Sequence, residues 1–355
     1  MIYSSTMKRI CVVTSTVPFV RGGNELLAET LVRQLVRFGH ESQLLTVPQN
    51  RFGRQFSAYL AAYLTDVRFE GCPERVDQVI SLKFPSFAVR HPVHVCWFNH
   101  RMREYYDLWE KFLASLASKR QLLKESVRRV LLHQIDAFLL NRNVTKLYAQ
   151  SKNIQQRLLQ FGHIPSEVLY PPASDLLRCS KPTFGRFILS PARLVELKRH
   201  DLLIRALADL KRPDVHAIIA GEGPQENELK RLAEQMGLAD KVKFVGEMSY
   251  EALSRYYSEC LAVFYGPFNE DYGLVTLEAG KCHKPVITCT DSGGPKELVR
   301  DGVTGFVCEP SEHAIANAID TLASDQGLAR SLGENAYEAS LEHSWEHAIE
   351  KLVMV

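Results

Sequence analysis

Two carboxylates with seven residues between them, Glu270 and Glu278, bracket the segment Asp271-Tyr272-Gly273-Leu274. The apolar run Leu261–Phe264 predicts a strand before this segment, and a helix is expected from near Gly273. Carboxylates placed on both sides of a helix N-terminus can accept hydrogen bonds from sugar hydroxyls, while the helix dipole attracts a phosphate. The same spacing also fits ordinary N-terminal helix acids plus one solvated glutamate. A cationic counterpart stands at Arg193 and Lys198, after the expected strand Arg186–Leu189. A planar guanidinium with a point-charge ammonium suits a diphosphate; alone, the segment is also a plain charged loop. Gly22-Gly23, after the apolar run Arg9–Ser15, would let the backbone approach an anion at a helix start. A simple tight turn explains that pair equally well.

Gly221-Glu222-Gly223-Pro224-Gln225-Glu226 opens like a dinucleotide fingerprint, but Glu226 occupies the third glycine position. Proline after the second glycine alters the turn as well. The close helix–strand packing that the third glycine would permit is missing, which argues against a nicotinamide dehydrogenase.

The elements that must position these residues alternate. Further strands are expected at Glu41–Val47, Val76–Leu82, Val93–Phe98 and Leu147–Gln150 in the first half. In the second half they are expected at His216–Ala220, Val242–Val245, Pro285–Thr288 and Gly305–Cys308. Helical patterns at Glu25–Phe38, Asp201–Leu210, Gln225–Met236 and Gly273–Lys281 lie among them. Nearly continuous apolar strands alternating with helices imply parallel sheets covered on both faces. At 355 residues the chain exceeds what one core supports. The division is expected as 1–172, 173–340 and a C-terminal helix at 341–355 that can pack back on the first domain. Charge divides likewise: 23 basic and 13 acidic residues up to Pro172, against 20 and 28 beyond it, within a formal net charge of +2. A hydrophobic fraction of 46% with 24% charged residues excludes disorder, collagen and a disulfide-stapled miniprotein. No apolar run has the roughly 20 residues of a membrane span. The start reads without a secretion signal, and Met7 is an alternative first residue. The eight cysteines form no CxxC pair or zinc spacing and read as buried thiols of a reducing cytosol.

In order, Arg193 and Lys198, the Gly221–Pro224 turn, Glu270 with Glu278, Ser292-Gly293-Gly294-Pro295-Lys296-Glu297 and Asp301–Phe306 resemble the family 4 retaining glycosyltransferases. The resemblance is close over the second half and rests on Gly22-Gly23 and the overall pattern in the first. It implies an α/β GT-B architecture of two Rossmann-like, doubly wound parallel-sheet domains facing a cleft. The acceptor would lie on the first domain and a nucleotide-sugar on the second, as a co-substrate, with no cofactor and no metal. Carried over, Arg193 and Lys198 would neutralise the donor diphosphate and Glu278 would hold the ribose. Glu270, with the backbone of Asp271, Tyr272, Gly273 and Leu274, would bind the transferred hexose. Gly22 and Gly23 would close over the phosphate and sugar, Gly221 belongs to the donor side, and the main chain at Met248 would contact the base. His100 resembles the histidine that faces sugar or acceptor; a loop histidine without a role is its alternative. Arg199, His200, Lys281-Cys282-His283 and Asn24 depart from the pattern.

The resemblance implies retention of configuration, with the leaving diphosphate taking the acceptor's proton. Tyr170-Pro171-Pro172, Glu270–Gly273 and Ser292–Pro295 look most like members using GDP-mannose, with a UDP-sugar as the alternative. An epimerase of the same fold or a non-catalytic nucleotide-sugar-binding protein are the rival classes. The acceptor is expected to be a saccharide or a polyprenyl-diphosphate-linked saccharide of cell-surface glycan assembly. Eight basic and two acidic residues lie between Lys111 and Lys146, with apolar residues at Leu116, Leu123, Val127, Val130 and Phe138. This reads either as a helix touching anionic lipid or as a basic solvent face over a buried apolar stripe. No nucleic-acid motif accompanies the charge. A cytoplasmic location, at the inner face of the membrane if lipid is touched, is expected.

Overall fold

The computed structural model describes residues 7–17, 22–49, 53–67 and 76–354. Two compact units divide the chain: residues 1–171 with 345–355, and residues 172–344.

The first unit runs β1 (Arg9–Thr16), α1 (Gly23–Arg37), β2 (Glu41–Pro48), α2 (Gln55–Leu64), β3 (Gln78–Ser81) and β4 (His94–Phe98). It continues with α3 (Trp109–Ala114), α4 (Lys119–Arg142), β5 (Lys146–Ala149), α5 (Lys152–Gly162) and β6 (Glu167–Val168). Its six strands are parallel in the order β2-β1-β3-β4-β5-β6. The central strands β3 and β4 are buried along their whole length, as apolar runs covered on both faces must be. Edge strand β2 is largely exposed instead. The short β6 has only two residues, too few for a periodic signal, and the sequence reading omits it.

The second unit runs β7 (Phe187–Pro191), α6 (His200–Ala208), β8 (His216–Ala220), α7 (Glu226–Gln235), β9 (Val242–Phe244) and α8 (Tyr250–Glu259). Then follow β10 (Ala262–Phe264), α9 (Leu274–Lys281), β11 (Val286–Cys289), α10 (Pro295–Leu298), β12 (Gly305–Cys308), α11 (Glu312–Ser324) and α12 (Gln326–Leu341). These strands are also parallel, in the order β12-β11-β10-β7-β8-β9. The order reverses between β7 and β10, and beyond the carboxyl ends of such a pair the loops diverge and leave a crevice. The last helix, α13 (Trp345–Leu352), belongs to the first unit. There Ala348, Ile349 and Leu352 join the β1–α1 core, and Trp345 meets Trp97 edge-on with ring centroids 6.2 Å apart.

Two sequence expectations need correcting. Cys179 and Cys282 form a disulfide, with Cα atoms 5.2 Å apart, because the segment before β7 runs beside the end of α9. Cys11, Cys96, Cys260, Cys289 and Cys308 remain thiols, and Cys72 lies outside the described residues. The apolar stripe on α4 is not buried. Leu123 is 66% exposed and Phe138 58%, and Val127 and Val130 are exposed with them. The buried positions of α4 are instead Glu125, Leu132, Asp136, Leu139 and Leu140.

Candidate active site

Three loops interlock at the strand-order reversal of the second unit. The loop after β7 carries Arg193 to Arg199, the loop after β10 carries Tyr265 to Gly273, and the loop after β11 carries Thr290 to Gly294. Arg199 is the hub. It donates to the carbonyls of Gly266 and Pro267 and forks onto Asp291 at 2.6 and 2.8 Å. The departure from the family pattern at this position thus has a structural task. Backbone bonds complete the weave: Phe268 N to Leu197 O, Asn269 N to Asp291 O, Glu270 N to Ser292 O and Gly294 N to Glu270 O.

Lys198 and Glu270 are brought together on this frame. The ammonium lies 2.6 Å from the Glu270 carboxylate and 2.9 Å from the Tyr265 hydroxyl. Burial acts against the charged ammonium, but Glu270 and Tyr265 outweigh it and hold the Lys198 pKa above its ordinary value. Burial, reinforced by Glu270, raises Tyr265 as well. Arg193 is exposed and its side chain has no hydrogen-bond partner among the described residues. Asp271 and Tyr272 are buried, and α9 starts at Leu274 after Gly273 with no side chain capping it.

Glu278 is buried inside α9 at 6% exposure, so the solvated-glutamate alternative fails. It accepts a 2.9 Å hydrogen bond from Tyr257 on α8, itself fully buried. Burial raises the Glu278 pKa against the opposing Tyr257 bond. Sequence reasoning missed Tyr257 and Tyr265. Each meets its partner only through packing, and no local spacing connects Tyr257 with Glu278.

The Gly221–Gly223 turn works by close approach. Gly221 sits at φ +134, and a Cβ there would stand 2.2 Å from the Ala192 carbonyl oxygen. One at Gly223 would stand 2.3 Å from the Leu194 oxygen. Ala192 N bonds to Ala220 O and Leu194 N to Glu222 O, so the turn is the bed on which the Arg193 loop lies. Gly221 N also bonds to Gly246 O, and half-buried Met248 packs nearby on the second unit's β-sheet core.

Gly22, Gly23 and His100 belong to the first unit. Gly22 caps α1, where Glu25 pairs with Lys83 at 2.7 Å across the β1 and β3 ends. The loop after β4 is tied to the same end: Phe84 N bonds to His100 O, and the Ser15 hydroxyl donates to Phe84 O. The His100 ring lies 2.9 Å from the Asn99 side-chain oxygen. Val20 and Arg21 lie outside the described residues. Among the described residues, no group of three His, Cys, Asp or Glu is placed to hold a metal ion.

Residues 180–339 match the family described as glycosyl transferases group 1. That match covers most of the second unit. Every element of the interlocked loops lies within that match. The D-inositol 3-phosphate glycosyltransferase of Mycolicibacterium smegmatis is 32% identical over 197 residues, covering 53% of this chain and 44% of that protein. The human alpha-1,3/1,6-mannosyltransferase ALG2 is 32% identical, covering 48% and 47%. A GDP-mannose-dependent alpha-(1-6)-phosphatidylinositol monomannoside mannosyltransferase of Mycolicibacterium smegmatis is 36% identical, covering 40% of each. The matched stretch thus spans less than half the length of each relative.

Solved structures extend the likeness of fold to the whole chain. Anabaena Alr3699/HepE, in complex with UDP-glucose, superposes with a TM-score of 0.70 at 20% identity, covering 96% of this chain and 97% of that one. WaaG, a glycosyltransferase involved in lipopolysaccharide biosynthesis, gives 0.72 at 15% identity, covering 98% and 100%. The fold is GT-B.

Proposed function

We propose that the protein transfers a hexose from a nucleotide-sugar, with retention and without a catalytic metal, to a saccharide or polyprenyl-diphosphate-linked saccharide. The observation that carries this reading is the Lys198–Glu270 pair on the uncapped approach to α9, with Glu278 buried one turn further on. Cleaving the sugar–phosphate bond develops negative charge on the leaving diphosphate. Arg193, exposed and unengaged, and Lys198, held cationic, stabilise that charge more than they stabilise the intact donor. The proton of the attacking hydroxyl goes to the leaving phosphate oxygen. Glu270 binds the hexose, Glu278 accepts from ribose hydroxyls, and no enzyme nucleophile is needed. Gly22, Gly23 and His100 serve the sugar and acceptor from the first unit.

The donor we infer is GDP-mannose. The residues at Glu270–Gly273 and Ser292–Pro295 support it, as does the GDP-mannose-dependent relative. A UDP-sugar is the second reading, favoured by the UDP-glucose complex of Alr3699/HepE. The protein also touches anionic membrane through α4. Lys119, Arg120, Lys124 and Arg142 are exposed beside the apolar stripe, while both acids of the helix, Glu125 and Asp136, face inward. No helix among the described residues is long and apolar enough to cross a membrane.

Melting temperatures with GDP-mannose, GDP, UDP-glucose and UDP, with and without magnesium, test the donor. A ligand at about 100 times its Kd adds roughly 2.7 kcal/mol. A magnesium-independent rise with GDP-mannose supports the reading, and a rise with UDP-glucose alone replaces the donor. Transfer measured by nucleotide release should fall about 100-fold or more in Glu270→Ala and in Arg193→Ala, about 2.7 kcal/mol of barrier. Near-normal transfer by both variants would remove the site assignment.

A further inference from the structure

The loop that carries Arg193 and Lys198 is held at both ends by the two residues that follow it. Arg199 has left-handed backbone at φ +52, a conformation that glycine takes freely and that costs other residues strain. Such strain persists only where the surroundings over-determine it, and here the side chain does so. Its Nε donates to Gly266 O at 2.7 Å, a terminal nitrogen donates to Pro267 O at 3.0 Å, and the fork reaches both Asp291 oxygens. Gly266 and Pro267 lead into the Glu270 loop, and Ser292, next to Asp291, accepts from Glu270 N. Because Arg199 directly follows Lys198, these bonds fix the Lys198 main chain against the loop that bears its carboxylate partner.

His200 holds the other end. It is buried, with Nε2 3.3 Å from the Arg193 carbonyl and Nδ1 2.9 Å from the Ser190 hydroxyl on β7. A carbonyl oxygen only accepts, so Nε2 carries the ring proton and Nδ1 accepts from Ser190. Burial keeps the ring neutral by lowering its pKa to about 4. Between the two ends the chain closes on itself: Val195 N bonds to Arg193 O, Lys198 N to Val195 O and Arg199 N to Glu196 O. Leu194 is fully buried in the second unit's core. The backbone separation of the two cations is therefore set by bonds that Arg199 and His200 make.

We propose that Arg199 and His200 are positioning residues that fix the spacing of Lys198 and Arg193, and that this spacing makes the site select a diphosphate over a monophosphate. One phosphate can be met by a single cation wherever that cation sits. Two linked phosphates gain from a second cation only when its separation from the first is held in advance, because ordering it on binding costs affinity. Neither positioning residue has to touch the ligand. The proposal rests on the glycosyl-transfer reading in taking Arg193 and Lys198 as the phosphate contacts.

The test is calorimetric titration of GDP, UDP, GMP and UMP into the full chain and its variants, beside their melting temperatures. The wild type is expected to bind one diphosphate roughly tenfold or more tightly than the matching monophosphate. In Arg199→Gly and in His200→Leu that ratio should fall about fivefold. Monophosphate affinity should change by less than about twofold, since the ribose and base contacts lie elsewhere. Arg199→Gly relaxes the left-handed backbone and Arg199→Ala does not. The glycine variant should therefore melt higher, while both lose the ratio alike. His200→Gln, whose amide can still donate to the Arg193 carbonyl, should recover part of the ratio, and it is the variant read if His200→Leu does not fold. A role confined to folding gives losses that follow melting temperature and fall equally on mono- and diphosphates. That result, or an unchanged ratio in Arg199→Gly, overturns the proposal and leaves the glycosyl-transfer reading standing. A wild type that binds none of the four nucleotides, or no diphosphate more tightly, removes that reading and the proposal with it.

Discussion

In the second unit, charge holds the strand-end loops together: Lys198 engages Glu270, and Arg199 bridges three loop segments through Gly266, Pro267 and Asp291. In the first unit, the ion pair of Lys83 with Glu25 spans the β1 and β3 ends, while among the described residues the terminal nitrogens of Arg101 beyond β4 have no acceptor within hydrogen-bond distance. Both units hang these loops on six parallel strands. The comparison teaches that one architecture can interlock its strand-end loops through charge in one unit and bury a guanidinium against aromatic rings in the other. Preassembly lowers the cost of ordering a charged ligand. An exposed apolar helix face, as on α4, keeps its interaction energy for a partner.

The contrast can be broken first at the bed of the second site. Gly221→Ala forces a Cβ against the Ala192 carbonyl and an alanine into left-handed backbone, and should cost about 3 kcal/mol. Calorimetry should show a fall of several degrees in melting temperature, with nucleotide binding lost before the first unit unfolds. An unchanged melting temperature would mean that the two loops can separate freely.

Acid should affect both units alike. His94 in the first and His200 in the second are buried and lowered by that burial to about 4. An unfolded histidine titrates near 6.5, so the neutral native form contributes stability above that pH, and the contribution is lost as pH falls from about 6.5 to about 4. Each histidine accounts for at most about 3 kcal/mol. Melting temperatures measured from pH 7 to pH 4 should decline across this window, and a flat profile would refute the assignment.

Tyr257→Phe sharpens the comparison within the second site. Removing the bond to Glu278 should weaken nucleotide binding by about 1 kcal/mol, roughly fivefold. The raised pKa of Glu278 makes nucleotide affinity fall on acidification, once its carboxylate protonates. Losing the Tyr257 bond, which opposes that rise, moves the fall to higher pH; calorimetric titration at several pH values reads both effects.

The smallest effect belongs to α4. Leu123→Ser with Val127→Ser should change stability by under about 0.5 kcal/mol per site, since both residues are exposed. The same variant should no longer float on anionic vesicles at low salt. Retained flotation would take the membrane contact away from this helix.

Much of the fold was legible because parallel strands announce themselves as short apolar runs. His216–Ala220 and Gly305–Cys308 match the sequence reading to the residue, and most other strands match within two. Gly221, Glu270 and Glu278 could be singled out because backbone geometry and helix phase are local properties. Three things depended on tertiary structure. Tyr257 lies 21 residues from Glu278 and meets it only when α8 packs beside α9. The stripe of α4 has the same spacing whether buried or exposed, and the fold turned Leu132 and Leu139 inward rather than Leu123 and Phe138. Arg101 is an ordinary loop arginine in the sequence. Its burial against Tyr106 without an acceptor is a property of packing, because hydrogen-bond satisfaction depends on neighbours that the chain brings together from afar.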